Sequence, residues 1–208
     1  YRRNVLGGVD TYWLSKPLRT AIQHRHSVSV AGGTDAFRYS LDLNAAMQPG
    51  VMKESENQIK GVNFNMTYVR DNFTMRANVS LSESDSKNSP YGSFSQYTRL
   101  NPYYIPTDAN GKQMKVLDNN TVSGQSKVIT NPLYDATVGI KDLASSLNVT
   151  TSIGLEYMIL ENLRVTEQFS YTRGMAGTDK FLPADHTSFE LEDDLTRKGS
   201  YFKSTGNM

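Results

Sequence analysis

The chain has 208 residues, 38% hydrophobic and 21% charged, and its 22 Lys and Arg against 21 Asp and Glu give a formal net charge of +1. That balance, with no long basic run, argues against nucleic-acid binding, and the absence of cysteine excludes disulfides and thiolate metal sites. No run approaches the ~20 apolar residues of a membrane-spanning helix, but strands that alternate apolar and polar residues escape that test.

Residues 1–25 lack strand periodicity. Tyr1-Arg2-Arg3-Asn4 and the short Val5–Val9 run carry no secretory-signal apolar region, and neither end of the chain reads as a natural terminus. Asp10 is placed to cap a short helix over Thr11–Ser15, limited by Pro17. Trp13, the single tryptophan, reads as a packing anchor for this segment. His24 and His26 share one face of an extended chain; with no third ligand in view they read as a rim pair rather than a metal site.

Residues 26–86 read as four strands. Val28 and Val30 alternate with Ser27, Ser29 and Ala31. Phe37, Tyr39, Leu41, Leu43, Ala45 and Met47 oppose Arg38, Ser40, Asp42, Asn44 and Gln48. Val62, Phe64, Met66 and Tyr68 oppose Asn63, Asn65 and Thr67. Phe73, Met75, Ala77, Val79 and Leu81 oppose Thr74, Arg76, Asn78, Ser80 and Ser82. Successive strand side chains point to opposite faces, so each ribbon has one apolar and one polar wall.

Two architectures share that pattern. A soluble antiparallel sandwich packs the apolar wall on a second sheet, and a transmembrane barrel turns it toward lipid. Length separates them. Soluble strands run about 5–6 residues and membrane-spanning strands about 9–11, and these ribbons reach roughly ten. The connections agree with the barrel. Gly32–Ala36 and Arg70–Asn72 are tight turns, whereas Pro49 to Gln58 and Asp85 to Ser146 are long. Phe37, Tyr39, Tyr68 and Phe73 crowd the short-turn rim, the place that membrane–water interfaces favour for aromatic rings. The expected fold is therefore all-β, an antiparallel transmembrane β-barrel segment of about six strands with long extracellular loops.

Residues 87–146 form the longest loop, and a loop of that length is uncommon unless it has a function. Its aromatics cluster as Tyr91, Phe94 and Tyr97, then Tyr103 and Tyr104. Such rings stack on sugars or peptides, or pack the loop on itself. Asp108-Ala109-Asn110-Gly111 predicts a small hairpin within it. Residues 147–173 supply two more strands, with Leu147, Val149, Thr151, Ile153, Leu155, Tyr157 and Ile159 on one face of the first. Leu163, Val165, Phe169 and Tyr171 begin the second, and Glu167 breaks its apolar parity; a bulge, a partner or a protein-covered face would each accommodate it. Residues 174–208 return to loop character, with Glu190, Glu192, Asp193 and Asp194 reading as a solvated acidic run rather than a cation site.

No phosphate-binding glycine loop, metal-helix signature or nucleophile elbow occurs. A hydrolase would need a Ser/His/acid constellation, and His24, His26 and His186 lie in loops or at a rim without a matching motif.

His26–Gly33, Arg38-Tyr39-Ser40 and Gln48-Pro49-Gly50-Val51 together resemble the barrel opening of the SusC/RagA family of TonB-linked outer-membrane transporters. Ser93-Phe94, Leu100–Tyr104 and Asn131–Tyr134 look like its long extracellular loop, and Tyr12-Trp13-Leu14 also fits. The resemblance implies an importer of oligosaccharides or peptides, not an enzyme and without a cofactor. It would sit in outer-membrane lipid, work with a SusD-like lipoprotein and be driven through the TonB complex. Its barrel of about 22 strands would surround a plug, which this sequence lacks, so the chain is expected to be a fragment. On this reading Arg38, Asp42, Asn44, Asn63, Asn65, Arg76 and Asn78 face the lumen or plug, and Tyr91, Phe94, Tyr97, Tyr103 and Tyr104 are candidates for lid or substrate contact. The competing expectation is a soluble β-sandwich that binds carbohydrate through the same tyrosines.

Overall fold

A computed structural model describes residues 2–122 and 125–207, with the side chains of residues 120–126 left aside. In chain order it contains α1 (Arg2–Leu6), a 3-10 turn (Trp13–Ser15), β1 (His24–Gly33), β2 (Phe37–Pro49), β3 (Glu56–Arg70), β4 (Phe73–Lys87) and α2 (Phe94–Tyr97). There follow β5 (Val116–Val122), β6 (Gln125–Thr130), α3 (Pro132–Asp135), β7 (Lys141–Leu160), β8 (Leu163–Leu182), two further 3-10 turns (Thr187–Phe189, Leu195–Arg197) and β9 (Ser200–Asn207). No described helix is long and apolar enough to cross a membrane.

Seven strands form one antiparallel sheet in the order β1-β2-β3-β4-β7-β8-β9, and β5-β6 is a separate hairpin. The sheet is open: β1 and β9 each pair on one side only. Directly opposed residues share a face, so the register turns sequence alternation into continuous rows. Val30, Leu41, Phe64, Val79, Thr151 and Tyr171 make one row, and Tyr39, Met66, Ala77, Ile153 and Phe169 the next. Ser29, Asp42, Asn63, Ser80, Thr150 and Thr172 form a row on the opposite face.

The connections alternate in length. Residues 34–36, 71–72 and 161–162 turn at one rim, while 50–55, 88–140 and 183–199 connect at the other. Asp71 enters its two-residue turn at φ 49°, a conformation Asp tolerates. Gly33 sits at φ 143°, and a Cβ there would overlap the Phe37 carbonyl, so only glycine closes this turn.

Four expectations change. β9 lies where only loop was expected, and the strand pair expected over 147–173 runs from Lys141 to Leu182. Beyond the apolar band the outward positions become polar, which hides the period from sequence. The long loop holds the β5–β6 hairpin, and Asp108–Gly111 forms a tight turn bridged at Thr107 and Gln113; Ser123 and Gly124 lie outside the described residues. Asp10 caps nothing: the 3-10 turn begins at Trp13, with Tyr12 at its N-cap.

The loops have their own small core. Trp13, Tyr97 and Leu133 are buried together, and Met52, Tyr91, Leu100, Tyr104 and Leu117 pack around them. The Trp13 indole donates to the Asn101 carbonyl at 2.9 Å and the Tyr97 hydroxyl to the Tyr91 carbonyl at 2.9 Å, so both polar atoms are satisfied. Asn131, fully buried, donates to Pro106 O (3.0 Å) and Met114 O (2.8 Å) and accepts from Leu133 N (3.1 Å). Thr11 N–H reaches the Pro102 carbonyl at 2.7 Å, joining the first segment to the long loop.

Candidate functional site

The sheet presents two unlike faces. On the apolar face no second layer of described residues covers the wall: exposure runs from 37% at Ile153 to 63% at Phe169, with Val28, Val30, Leu43 and Tyr171 between. In the sheet only Ala46 is a buried apolar residue among those described. Leaving a Val, Leu, Ile or Phe in water forfeits about 1.5–3 kcal/mol each. A wall of such side chains calls for a nonaqueous neighbour. At the short-turn rim Phe37 and Tyr39 lie 6.0 Å apart, and Tyr68 and Phe73 meet edge-on at 6.5 Å. Toward the long-loop rim the same face becomes charged, with Lys60–Glu83 at 3.1 Å, Lys87–Glu54 at 3.3 Å and a Lys141–Asp179 pair.

All seven residues expected to face the lumen lie on the opposite, polar face. Several are linked across strands. Asn78 Nδ2 donates to Asn65 Oδ1 (2.7 Å), Asn65 Nδ2 to Ser40 Oγ (3.3 Å), and Ser29 Oγ to Asp42 Oδ1 (2.5 Å). Asn44 folds over Gly61, occupying the space a Cβ would take there. Sequence reading missed Glu156, which accepts from Arg76 at 3.5 Å and from Arg164 at 3.4 Å. Its alternation signal was present, but only the register brings β7 beside Arg76.

Glu167 stands on the apolar face in the row of Phe37, Tyr68, Met75 and Leu155. The register runs unbroken there, so no bulge redirects it, and it has no ion pair among the described residues.

The expected aromatic cluster divides. Tyr97 is 1% exposed and belongs to the loop core, which removes it from any contact surface. Burial pushes its phenol pKa well above the ordinary value, helped by Tyr91 and Asp135. Tyr91 and Tyr104 are half-buried against the same core, with Lys53 Nζ 5.7 Å from the Tyr91 ring centre. Tyr103 is half-buried and Phe94 exposed. Phe94 shares a groove of about 420 Å³ with Tyr12, Leu14 and Leu18, which sequence reading left out.

In the acidic run, Glu190 pairs with Lys115 at 2.7 Å, and this bond raises the lysine pKa. Asp194 caps the Leu195–Arg197 turn through Thr196, whose hydroxyl and N–H hold the carboxyl pKa down. The fold also brings Ser188, His186 and Asp135 together, a grouping that sequence reading did not foresee. His186 Nδ1 accepts from Ser188 N–H at 3.0 Å, with Ser188 Oγ at 2.8 Å. Both Asp135 oxygens are taken by Thr187, and His186 Nε2 is 3.7 Å away, beyond hydrogen-bond reach. These are loop caps, and none of the three lines a groove described above. His24 and His26, with ring centres 5.4 Å apart, lie on the β1 edge.

No protein-family model and no curated protein sequence matches the chain. Solved structures do. One chain of the RagAB peptide transporter aligns with a TM-score of 0.67 at 17% identity, over 85% of this chain and 20% of that one. The likeness is one of fold. The RagAB peptide importer in its open-open state gives 0.67 at 17% identity, over 84% of this chain and 20% of that one; its closed-closed state gives 0.67 at 18% over the same shares. The chain thus spans about a fifth of the length of these solved chains.

Proposed function

We propose that the chain forms part of the barrel wall and extracellular loops of an outer-membrane importer of large nutrients, peptides or oligosaccharides. One observation carries the reading: a broad apolar face, uncovered by the described residues and interrupted on β8 by Glu167 and Arg173, bounded by aromatic rings at the short-turn rim and by charged pairs toward the long-loop rim. Outer-membrane barrel walls have this arrangement. The fold likeness to RagAB chains supports it. The polar face then lines a wet interior, and Arg38, Asp42, Asn44, Asn63, Asn65, Arg76 and Asn78 hydrogen-bond a plug or edge the path. The loops, built on Trp13, Tyr97 and Leu133, form the outer surface where a SusD-like lipoprotein lid docks, with Tyr91, Phe94, Tyr103 and Tyr104 as contact candidates. Coupling to TonB belongs to the plug, and the chain carries out no chemistry of its own.

A soluble carbohydrate-binding sandwich needs a second sheet on the apolar face, and the described residues supply none. Extraction tests the choice. The importer reading expects the native polypeptide in outer membranes, released only by detergent and accompanied by a lipoprotein. A monomer that stays in solution without detergent contradicts it.

A further inference from the structure

The polar face carries a single charge across its middle, Asp42, which accepts from Ser29; Asn, Ser, Thr and Gly line the rest of the rows from Asn44 to Gly174 and from Ser40 to Ser170. Toward the short-turn rim the charge is mostly positive. Arg38, Thr67, Arg76, Gly154 and Gln168 form one row across five strands, and Glu156 and Arg164 lie just beyond it toward the turns. At about 4.8 Å per strand the two arginines of this row stand roughly 10 Å apart. Glu156, the one carboxylate in this part of the face, is shared by Arg76 and Arg164. Arg38 has no ion pair among the described residues, and Arg76 and Arg164 remain 62% and 60% exposed. Three guanidinium groups thus share this part of the face with one carboxylate, which contacts two of them.

The same row contains a gap in the side-chain layer. A Cβ placed on Gly154 would meet nothing within 4 Å. Arg76, Asn78, Glu156 and Gln168 frame the space, a notch of about 360 Å³. Gln168 has no side-chain hydrogen bond among the described residues, so its amide is free to donate and accept.

From the excess of guanidinium charge beside an open notch, we infer that this part of the polar face binds an acidic peptide. Arg76 takes a side-chain carboxylate over Gly154, where the planar guanidinium matches the two oxygens. Gln168 and Asn78 meet the peptide backbone amides. Arg38, two strands away, takes a second carboxylate. The missing Cβ at Gly154 lets the ligand approach the sheet backbone. The site lies on the polar face alone, so its failure leaves the reading of the apolar face standing, and the reverse.

The test is calorimetric titration of the purified native protein with tri-glutamate, with tri-lysine as control. Saturable tri-glutamate binding is expected, weakening as salt rises, with none for tri-lysine. Arg76→Gln and Gly154→Val should each weaken it about tenfold, the loss of roughly one charge-assisted contact. Ser80→Ala, in a middle row away from the three arginines, should leave it unchanged. Gln168→Ala, which alters no backbone, should weaken it if Gly154→Val disturbs the strand content. The inference is overturned if tri-glutamate fails to saturate, if the Arg76 and Gln168 variants bind like the parent, or if equimolar acetate displaces the peptide.

Discussion

Asp135 and Thr187, 52 residues apart in sequence, share two buried hydrogen bonds: the carboxylate accepts from the Thr187 N–H at 2.9 Å and from its hydroxyl at 2.6 Å. This is the clasp between the loop that follows β4 and the loop that follows β8. It lets two long connections behave as one folded surface rather than two independent strings. Thr187→Val removes the hydroxyl and leaves the carboxylate under-satisfied, at a cost of about 1.5–3 kcal/mol for a bond to a charged group. Hydrogen exchange should quicken in both loops, while Thr187→Ser stays near the parent. Unchanged exchange in Thr187→Val would mean that the clasp does not hold the loops.

The turn between β1 and β2 makes a sharper demand. Gly33→Ala places a methyl group against the Phe37 carbonyl at a φ that side chains avoid, costing about 1–3 kcal/mol. Gly111→Ala, also at positive φ but with open space around it, should cost less. Denaturation midpoints of the two variants decide the order.

Alkaline pH should loosen the loop core before the sheet. The Tyr97 pKa is raised by burial and the Lys115 pKa by Glu190. A folded-state pKa above the unfolded one gives stability that is complete below the unfolded value and lost as pH rises through the folded value. For both groups the loss begins near pH 10, the ordinary range of phenol and ammonium. Trp13, in contact with this core, is the reporter: its fluorescence should shift above about pH 10, and Tyr97→Phe should reduce the shift. A shift at neutral pH would point to other groups.

Leu41 lies in the row between Val30 and Phe64 on the apolar face, and Ser80 is in a polar row on the other. If the apolar face meets lipid, Leu41→Arg costs about 2–4 kcal/mol near the midplane and Ser80→Arg is tolerated. Yields of correctly folded protein in detergent compare them directly. Equal tolerance would sink the lipid-facing assignment.

Much of the wall was legible in sequence because period two is a local property: Phe37 to Met47 and Phe73 to Leu81 show it residue by residue. β9 was not, since Ser200-Tyr201-Phe202-Lys203 breaks the alternation and the strand is defined by pairing with Lys180 and Phe181. The polar-face parity of Arg38 and Asn65 was readable. That Gly154 opens a gap beside Arg76 was not, because it depends on the register of strands some 80 residues apart. Which of the loop aromatics packs the loop and which is left to meet a ligand was not readable at Tyr97 for the same reason. Its burial comes from Trp13 and Leu133, both remote in the chain.

The central claim is that one face of this sheet meets lipid and the other water, and a cysteine scan along β4 tests it most directly. The chain has no cysteine, so each substitution from Phe73 to Leu81 gives a single labelling site. Spin labels at 73, 75, 77, 79 and 81 should be accessible to membrane-dissolved oxygen, and those at 74, 76, 78 and 80 to a water-soluble relaxant. Odd positions shielded from both reagents would mean that a second protein layer covers the apolar face, and the membrane account would be wrong.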